Sequence, residues 1–268
     1  MELTSSTVWI ALGLTLIAGM STGIGSFMAF FAKSTNTKFL SAALGLSGGV
    51  MVYVSFMDLL PGSLDVLNGS FSPKMASLIL LIAFFAGITL IALIDFFIPD
   101  DENPHEVHKI EAMNEPVNKG SLKRTGVMLA FAIGIHNFPE GLATFASALD
   151  GLSVALPIVV AIAIHNIPEG IAVSVPIYHA TGDRKKALKY SLLSGLSEPL
   201  GAAFGALFLL PFWNPVIGAL LLAFVAGIMV YISFDELLPG AEQYGHHHYA
   251  IGGVITGMAI MGFGLLLF

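Results

Sequence analysis

The chain contains one apolar stretch twice, first as Gly49-Val-Met-Val-Tyr-Val-Ser-Phe-Met-Asp-Leu-Leu-Pro-Gly62 and again as Gly227-Ile-Met-Val-Tyr-Ile-Ser-Phe-Asp-Glu-Leu-Leu-Pro-Gly240. Each copy lies in an apolar run that is long enough to cross a bilayer as a helix. These are the second and the seventh such run of the chain, so we expect them to cross in opposite directions. Copies that end at opposite faces of a membrane are typical of inverted-topology repeats, which build alternating-access transporters.

The composition is that of a membrane protein. Of the 268 residues, 56% are hydrophobic and only 11% are charged, which is too little charge to cover a soluble protein. The 29 glycines suit helices that pack closely in a bilayer. The chain has no cysteine, which excludes disulfides and thiolate metal sites. Its net charge of −7 argues against a nucleic-acid partner.

Eight apolar runs have roughly the length of a spanning helix. They lie at about 6–31, 38–60, 75–98, 124–148, 152–178, 187–210, 213–238 and 248–268. We therefore predict an all-α polytopic membrane protein with eight transmembrane helices. We expect Pro168 and Pro199 to break the fifth and the sixth helix, because proline removes a backbone donor and clashes with the preceding turn.

Lysine and arginine predict the orientation of the chain. Ten of the eleven basic residues follow spans one, three and five, and only Lys74 lies on the other side. The positive-inside rule makes the basic side cytoplasmic, so both termini are expected outside the cell. The N-terminus has no basic region before its apolar run, which favours a retained first helix over a cleaved signal peptide.

The whole chain, 1–268, is predicted to form a single transporter domain with a 3+2+3 arrangement of helices. Its parts are a first three-helix repeat at 1–98, a polar cytoplasmic loop at 99–123, a central helix pair at 124–178 and a second three-helix repeat at 187–268. The loop carries His105 and His108 among acidic residues. It is either a solvated linker or a weak collector of divalent cations.

Each helix of the central pair contains one polar motif. The first reads His136-Asn137-Phe-Pro-Glu140-Gly, and the second reads His165-Asn166-Ile-Pro-Glu169-Gly. Histidine and glutamate four residues apart lie on one face of a helix. A charged residue at bilayer depth costs roughly 2.5–3.5 kcal/mol on insertion scales. Because both motifs place such residues inside the membrane in the same pattern, they indicate a bound cation.

The residue types of the motifs suit a divalent metal. Imidazole and carboxylate are ligands of Zn²⁺ and its first-row neighbours, and the two asparagines add amide oxygens. Pro139 and Pro168 leave carbonyl groups without their helical donors. Glu198, beside Pro199 in the sixth span, is a third carboxylate inside the membrane. A lone histidine would more often be a structural hydrogen-bonding residue, but two matched motifs favour metal ligands.

Other polar residues near the helix ends have two interpretations. Asp58, Asp235 and Glu236 either cap the mouths of the protein or funnel ions to the site. Asp95 is predicted to anchor its helix at the interface. The run His246–His248 either receives outgoing metal or forms an exposed polar turn.

Three functions fit these residues and their spacing. The leading hypothesis is a divalent-metal importer. An intramembrane metalloenzyme is a second reading, although the His-Glu-x-x-His order of zinc proteases is absent. A metal-gated channel or metal sensor is a third, which the inverted repeat disfavours.

The chain resembles the ZIP (Zrt/Irt-like) metal transporters, most closely their bacterial ZupT type. Four stretches carry the resemblance: the two His-Asn-x-Pro-Glu-Gly motifs, Ser-Gly-Leu-Ser-Glu198-Pro in span six, and Ala-Gly-Met-Ser-Thr-Gly-Ile-Gly-Ser in span one. The resemblance covers nearly the whole length. It implies import of Zn²⁺ into the cytoplasm across the bacterial inner membrane, with Fe²⁺, Mn²⁺, Co²⁺ and Cd²⁺ as further substrates. It also implies a transporter with no prosthetic group, an elevator-like motion and homodimers.

The resemblance further implies a site for two metal ions. One ion would be held by His136, Glu140, His165 and Glu169. The second would be held or bridged by Asn137, Glu140, Asn166, Glu169 and Glu198. Many relatives in this family carry aspartate at the position of Asn166, so the second site is less anionic here.

Overall fold

The structure is a computed structural model that describes residues 5–29, 37–96 and 119–267. Within these ranges it does not describe the side chains of residues 28, 29, 119–129, 131, 132, 136, 150, 176, 179, 180 and 267. Every regular element in the described ranges is helical, which confirms the predicted all-α class. The segment with His105 and His108 lies outside the described residues.

The described residues form eleven α-helices, which are numbered in chain order. Those of the first half are α1 (Ser5–Ala29), α2 (Thr37–Val54), α3 (Leu60–Asn68), α4 (Pro73–Phe96) and α5 (Lys119–Asp150). Those of the second half are α6 (Leu152–Thr181), α7 (Arg184–Gly195), α8 (Ser197–Phe204), α9 (Pro215–Ile232), α10 (Leu238–Glu242) and α11 (His247–Leu267). π-Helical turns join α2 to α3 and α9 to α10, at Ser55–Leu59 and Ser233–Leu237, and a third follows α8 at Gly205–Leu209.

Seven stretches of the described chain are long and apolar enough to cross a membrane. They are Ser5–Phe27, Thr37–Asn68, Pro73–Phe96, Leu152–Val175, Arg184–Phe212, Pro215–Glu242 and His247–Leu266. The predicted span 124–148 falls within α5, where many side chains are not among those described. The predicted polytopic helical class is confirmed, whereas the count of eight spans and the 3+2+3 arrangement stay predictions.

The two copies of the repeated stretch adopt the same local structure. In the first, Ser55 Oγ donates to the carbonyl of Met51 at 2.7 Å, and a π-helical turn begins there. In the second, Ser233 Oγ donates to the carbonyl of Met229 at 2.7 Å, again at the start of a π-helical turn. Because a π-helical turn inserts one residue into a helix, both copies shift the helical phase at the same place.

Pro168 and Pro199 were both predicted to break a helix, and only the helix near Pro199 is interrupted. The helix α6 runs through Pro168 without interruption, so the predicted break there is wrong. One missing donor leaves the neighbouring helical hydrogen bonds intact, and the contacts of α6 with α1, α2 and α5 support it on several sides. Near Pro199 the helix is interrupted, since α7 ends at Gly195 and α8 begins at Ser197.

Close helix contacts set the positions of the outer helices. The helix α4 lies along α9, and α2 lies along α11. A Cβ on Gly87 of α4 would overlap the carbonyl of Phe224, and one on Gly227 of α9 would overlap the carbonyl of Phe84. The α2–α11 contact has the same mutual form. Small residues at such crossings let two backbones approach in a bilayer.

The buried apolar side chains concentrate between the central helices. The largest cluster includes Met51, Ile162 and Ile228, which come from α2, α6 and α9. In contrast, α4 exposes large apolar side chains such as Leu81 and Phe85 on its outer face. Exposed apolar side chains along a helix of this length suit contact with lipid. The polar motifs therefore lie inside a bundle whose outside is apolar.

Candidate metal centre

The helices α5 and α6 carry the two motifs and are joined by one residue. That residue, Gly151, has a φ of 128°, a conformation that side chains rarely adopt and that glycine allows. The tight connection makes α6 return beside α5, and the two helices pack along each other. Motifs that lie 29 positions apart in sequence are thereby brought side by side.

Histidine and glutamate meet across the two motifs. His165 Nε2 of α6 lies 3.1 Å from Glu140 Oε1 of α5, within hydrogen-bonding distance. Both residues are fully buried. A carboxylate and an imidazole held together in a dry interior form a pair of ligand atoms suited to a divalent metal.

The asparagines are held by backbone carbonyls of neighbouring helices. Asn166 Nδ2 donates to the carbonyl of Ala18 in α1 at 3.0 Å and also to Glu198 Oε1 in α8. Asn137 Nδ2 donates to the carbonyl of Ser194 in α7 at 3.4 Å. These contacts orient each amide so that its oxygen is left for another partner.

A serine outside the motifs holds the remaining glutamate. Ser47 Oγ of α2 donates to Glu169 Oε1 at 3.1 Å, and both residues are fully buried. Ser47 is not among the residues that the sequence predicts at the site. Its only sequence signal is a hydroxyl two residues ahead of the repeated stretch, among glycines and apolar residues.

Glycines that follow the two glutamates bring other helices close to the site. A Cβ on Gly141 would overlap the backbone of Glu198, and one on Gly170 would overlap the carbonyl of Thr22. Because neither glycine has a side chain, α8 can approach α5 and α1 can approach α6 at the level of the motifs. This contact places the backbone of Glu198 beside the first motif.

Several buried oxygens at the site lack a donor. Glu140 Oε2, Asn137 Oδ1 and Asn166 Oδ1 have no hydrogen-bond partner among the described residues. Unpaired polar atoms are rare in protein interiors because burial without a partner is costly. Oxygens of this kind are suited to a cation that enters as a transported substrate.

Three contacts between side chains connect candidate ligands to a partner in the described part of the chain. Among them, no three histidine, aspartate or glutamate residues lie close enough together to hold one ion. The pairs are Glu140 with His165, Glu198 with Asn166 and Glu169 with Ser47. His136 lies in α5 one turn before Glu140, but its side chain is outside the described residues.

Comparison with known proteins shows the family. The sequence profile of the family described as ZIP Zinc transporter matches residues 99–264. The chain is 57% identical over 264 residues to "Zinc transporter ZupT" of Streptococcus mutans, covering 98% of this chain and 99% of that protein. Proteins of the same name from Clostridium perfringens and Akkermansia muciniphila are 54% and 53% identical, covering 98% and 99% of this chain and 97% and 100% of theirs.

The chain belongs to the ZIP family. Membership makes it a zinc transporter and a multi-pass membrane protein, as the sequence predicted. It also indicates a transporter and not an enzyme, which removes the intramembrane metalloenzyme from consideration. Zinc is accordingly a substrate of this ZIP protein.

Asp58, Asp235 and Glu236 were expected near helix ends, but they lie inside the continuous helical stretches Thr37–Asn68 and Pro215–Glu242 of this ZIP chain, whereas Asp95 lies at the end of α4. Asp58 lies in the π-helical turn after α2 and is half-buried. Asp235 and Glu236 lie in the matching turn after α9. Asp95 accepts a hydrogen bond from the hydroxyl of Tyr231, which ties the end of α4 to α9. The expected anchoring of Asp95 at the membrane interface stays a prediction.

The histidine run has separate partners. His246 Nε2 lies 2.9 Å from Thr37 Oγ1 at the start of α2, and His247 Nδ1 lies 2.7 Å from Glu242 Oε1. Tyr244 lies in the same loop between α10 and α11. Burial raises the pKa of its hydroxyl, so the hydroxyl stays neutral over the physiological range. His246 and His247 thus have different partners, one at the start of α2 and one in α10.

Proposed function

We propose that this protein imports Zn²⁺ into the cytoplasm through an intramembrane site formed by the seven predicted ligands. These are His136, Asn137, Glu140, His165, Asn166, Glu169 and Glu198. The observation that carries the proposal is burial, because all six of these side chains that the structure describes are fully buried in an apolar bundle. So many polar side chains in a membrane interior mark an ion pathway.

The proposed site has two positions that share glutamates. His136, Glu140, His165 and Glu169 form the first, and Asn137, Glu140, Asn166, Glu169 and Glu198 form the second. The contact between Glu140 and His165 supports the first position, and that between Asn166 and Glu198 supports the second. The spare oxygen of Glu140 would let this carboxylate serve both.

Metal and proton occupancy are linked in this proposal. Divalent ions bind deprotonated carboxylates and neutral imidazole, so binding of the ion should release any proton that its ligands hold. The ion replaces the hydrogen bond between His165 and Glu140 with two bonds to metal.

The proposed cycle is alternating access by two inverted repeats, which contain spans one to three and six to eight. Matching helix contacts support it, since α2 lies along α11 while α4 lies along α9. The identical π-helical turns of the two copies support it as well. With the basic residues inside, both termini lie outside the bacterial inner membrane.

The proposal extends to Fe²⁺, Mn²⁺, Co²⁺ and Cd²⁺ as further substrates and to a homodimer. A site of imidazole, carboxylate and amide oxygen admits all of these ions, because affinity for one nitrogen and oxygen site follows a common order among them. Competition uptake assays against Zn²⁺ rank the ions, and light scattering of the purified protein gives the oligomeric state.

The test of the function is Zn²⁺ uptake by proteoliposomes that contain the Glu140→Ala variant. We expect saturable uptake to be abolished with membrane insertion intact, because removal of a buried carboxylate lowers the cost of insertion. The matched control is Glu242→Ala, which removes an exposed glutamate and should leave uptake unchanged. Normal uptake by correctly inserted Glu140→Ala protein contradicts the site, and an ohmic current in place of saturable flux indicates a channel.

A further inference from the structure

A short segment of α1 matches the segment that contains Glu198. The first reads Gly19-Met-Ser-Thr22-Gly-Ile-Gly, and the second reads Gly195-Leu-Ser-Glu198-Pro-Leu-Gly. Both begin and end with glycine, both have serine at the third position, and an isoleucine or leucine precedes the last glycine. Thr22 therefore occupies the position that Glu198 occupies in the second half of the chain.

The contacts of the two residues match as well. The glycine after the first motif, Gly141, fits against the backbone of Glu198, and the glycine after the second motif, Gly170, fits against the carbonyl of Thr22. Thr22 thus has the same relation to α6 that Glu198 has to α5. The equivalence of the two positions is one of packing and not only of sequence.

The two motif asparagines also make equivalent contacts in the two halves of the chain. Asn166 donates to the carbonyl of Ala18, and Asn137 donates to the carbonyl of Ser194. Ala18 and Ser194 are the residues that immediately precede the two matched segments. Asn166 also donates to Glu198, so the equivalent neighbour of Asn137 in the other half would be Thr22.

The hydroxyl of Thr22 is left without an internal acceptor. A threonine in a helix usually donates to the carbonyl four residues earlier, which here is that of Ala18. That carbonyl already accepts from Ser21 Oγ at 2.6 Å and from Asn166 Nδ2. Thr22 Oγ1 has no hydrogen-bond partner among the described residues, and the same is true of Asn137 Oδ1, although both residues are fully buried.

Thr22 and Asn137 contact adjacent residues of α7. A Cβ on Gly195 would lie 2.8 Å from Thr22 Oγ1, so the hydroxyl lies directly against this glycine. Asn137 Nδ2 donates to the carbonyl of the preceding residue, Ser194. Buried oxygens without a donor, on two residues that contact neighbouring positions of one helix, are costly unless a ligand satisfies them.

We propose that Thr22 Oγ1 and Asn137 Oδ1 form a neutral oxygen subsite for the transported divalent cation, equivalent to the Asn166–Glu198 pair. The proposal rests on the transport function proposed above and adds Thr22 to it. Neutral oxygens hold a divalent ion more weakly than carboxylates do, and conduction requires an ion that can leave. Thr22 therefore adds a weak contact beside Asn137 at the second metal position, which speeds passage of the ion and contributes little to the affinity of the loaded site.

The test compares Thr22→Val with Thr22→Ser in Zn²⁺ uptake by proteoliposomes. Valine has the shape of threonine without its hydroxyl, whereas serine keeps the hydroxyl. We expect Thr22→Val to lower the maximal uptake rate about tenfold, corresponding to the loss of one oxygen ligand. Equilibrium Zn²⁺ binding by the purified variant should stay within about twofold of the wild type, and Thr22→Ser should restore most of the rate.

The matched control is Thr15→Val. Thr15 lies two turns earlier in α1 and is equally buried, but its hydroxyl donates to the carbonyl of Ala11 at 2.6 Å. A wild-type rate for Thr22→Val overturns the proposal, and so does a rate for Thr22→Ser as low as that for Thr22→Val. Either result leaves the proposed function standing, which is overturned by normal transport in the Glu140→Ala variant or by an ohmic current in place of saturable flux.

Discussion

His165 Nε2 lies 3.1 Å from Glu140 Oε1, so the histidine of one motif pairs with the glutamate of the other. Histidine and glutamate of one motif share a helix face, and the sequence alone would allow them to act within that helix. The observed pair instead bridges α5 and α6. A metal held here would join the two helices, and a change in either residue should affect the same ion.

The first prediction concerns this bridge. We expect His165→Ala and Glu140→Gln each to weaken equilibrium Zn²⁺ binding by about tenfold or more, because each removes one ligand of one ion. The double variant should lose less than the product of the two single losses, because residues that act on a shared ligand are not additive. Calorimetric titration of the purified variants with Zn²⁺ measures all three.

The control for the bridge is the exposed pair of His247 and Glu242, whose side chains are 2.7 Å apart. His247→Ala and Glu242→Gln should leave Zn²⁺ binding unchanged. If the losses for His165→Ala and Glu140→Gln multiply in full, the two residues act on separate ions.

The second prediction concerns the second metal position. Asn166→Asp adds a carboxylate beside Glu198, so we expect tighter apparent metal affinity, slower maximal uptake and a changed ratio of Zn²⁺ to Fe²⁺ or Mn²⁺ uptake. Glu198→Gln should weaken the affinity while some zinc flux remains. Initial uptake rates against concentration of each metal, in proteoliposomes, measure both variants.

The structure adds a cost to Asn166→Asp. An ionised aspartate cannot donate to the carbonyl of Ala18, so we also expect a loss of stability of about 1–3 kcal/mol. A Glu198→Gln variant as inactive as Glu140→Ala would show that the second metal position is as necessary for zinc transport as the first.

The third prediction concerns Ser47, which holds Glu169 through a hydrogen bond of 3.1 Å. Ser47→Ala removes the donor and leaves the carboxylate less well oriented. We expect the half-saturating Zn²⁺ concentration to rise about twofold to tenfold, the range of one lost hydrogen bond. The control is Ser55→Ala in the same membrane span, because the Ser55 hydroxyl donates to its own helix. Equal effects of the two variants would assign Ser47 a packing role only.

The fourth prediction concerns the contact between α4 and α9. A Cβ at Gly227 overlaps the carbonyl of Phe84, so Gly227→Ala must separate the helices at a cost of about 1–3 kcal/mol. The expected result is a lower melting temperature in detergent. Gly252→Ala is the control, because a Cβ there meets no other atom within 4 Å. Equal melting temperatures for the two variants would contradict the close approach of α4 and α9.

The fifth prediction concerns the orientation. Gly120→Cys should react with impermeant thiol reagents only in inside-out vesicles, and Ser70→Cys only from outside. The chain has no cysteine of its own, so the background is clean. Reaction of both cysteines from one face would exclude the eight-span arrangement, because an odd number of spans lies between the two positions in that arrangement.

The sequence alone was sufficient for the class of the protein and for the identity of the proposed ligands. Long apolar runs have one stable form in a bilayer, where every backbone group must be bonded within the helix. Polar residues are so costly there that the few present, such as Glu140 and Glu198, can be recognised without coordinates. The π-helical turns were not predicted, although the same residues adopt them in both copies of the repeated stretch.

Only the tertiary structure decided which of these residues meet. His165 contacts Glu140, Asn166 contacts Ala18 and Glu198, and Glu169 contacts Ser47, all across helices and up to 148 positions apart in sequence. Pro168 was expected to end a helix, but the helices packed around α6 keep it continuous. The physical reason is common to all of these cases. Burial cost is a property of each residue type, whereas partners depend on how closely two backbones approach, and glycines on distant segments set that distance.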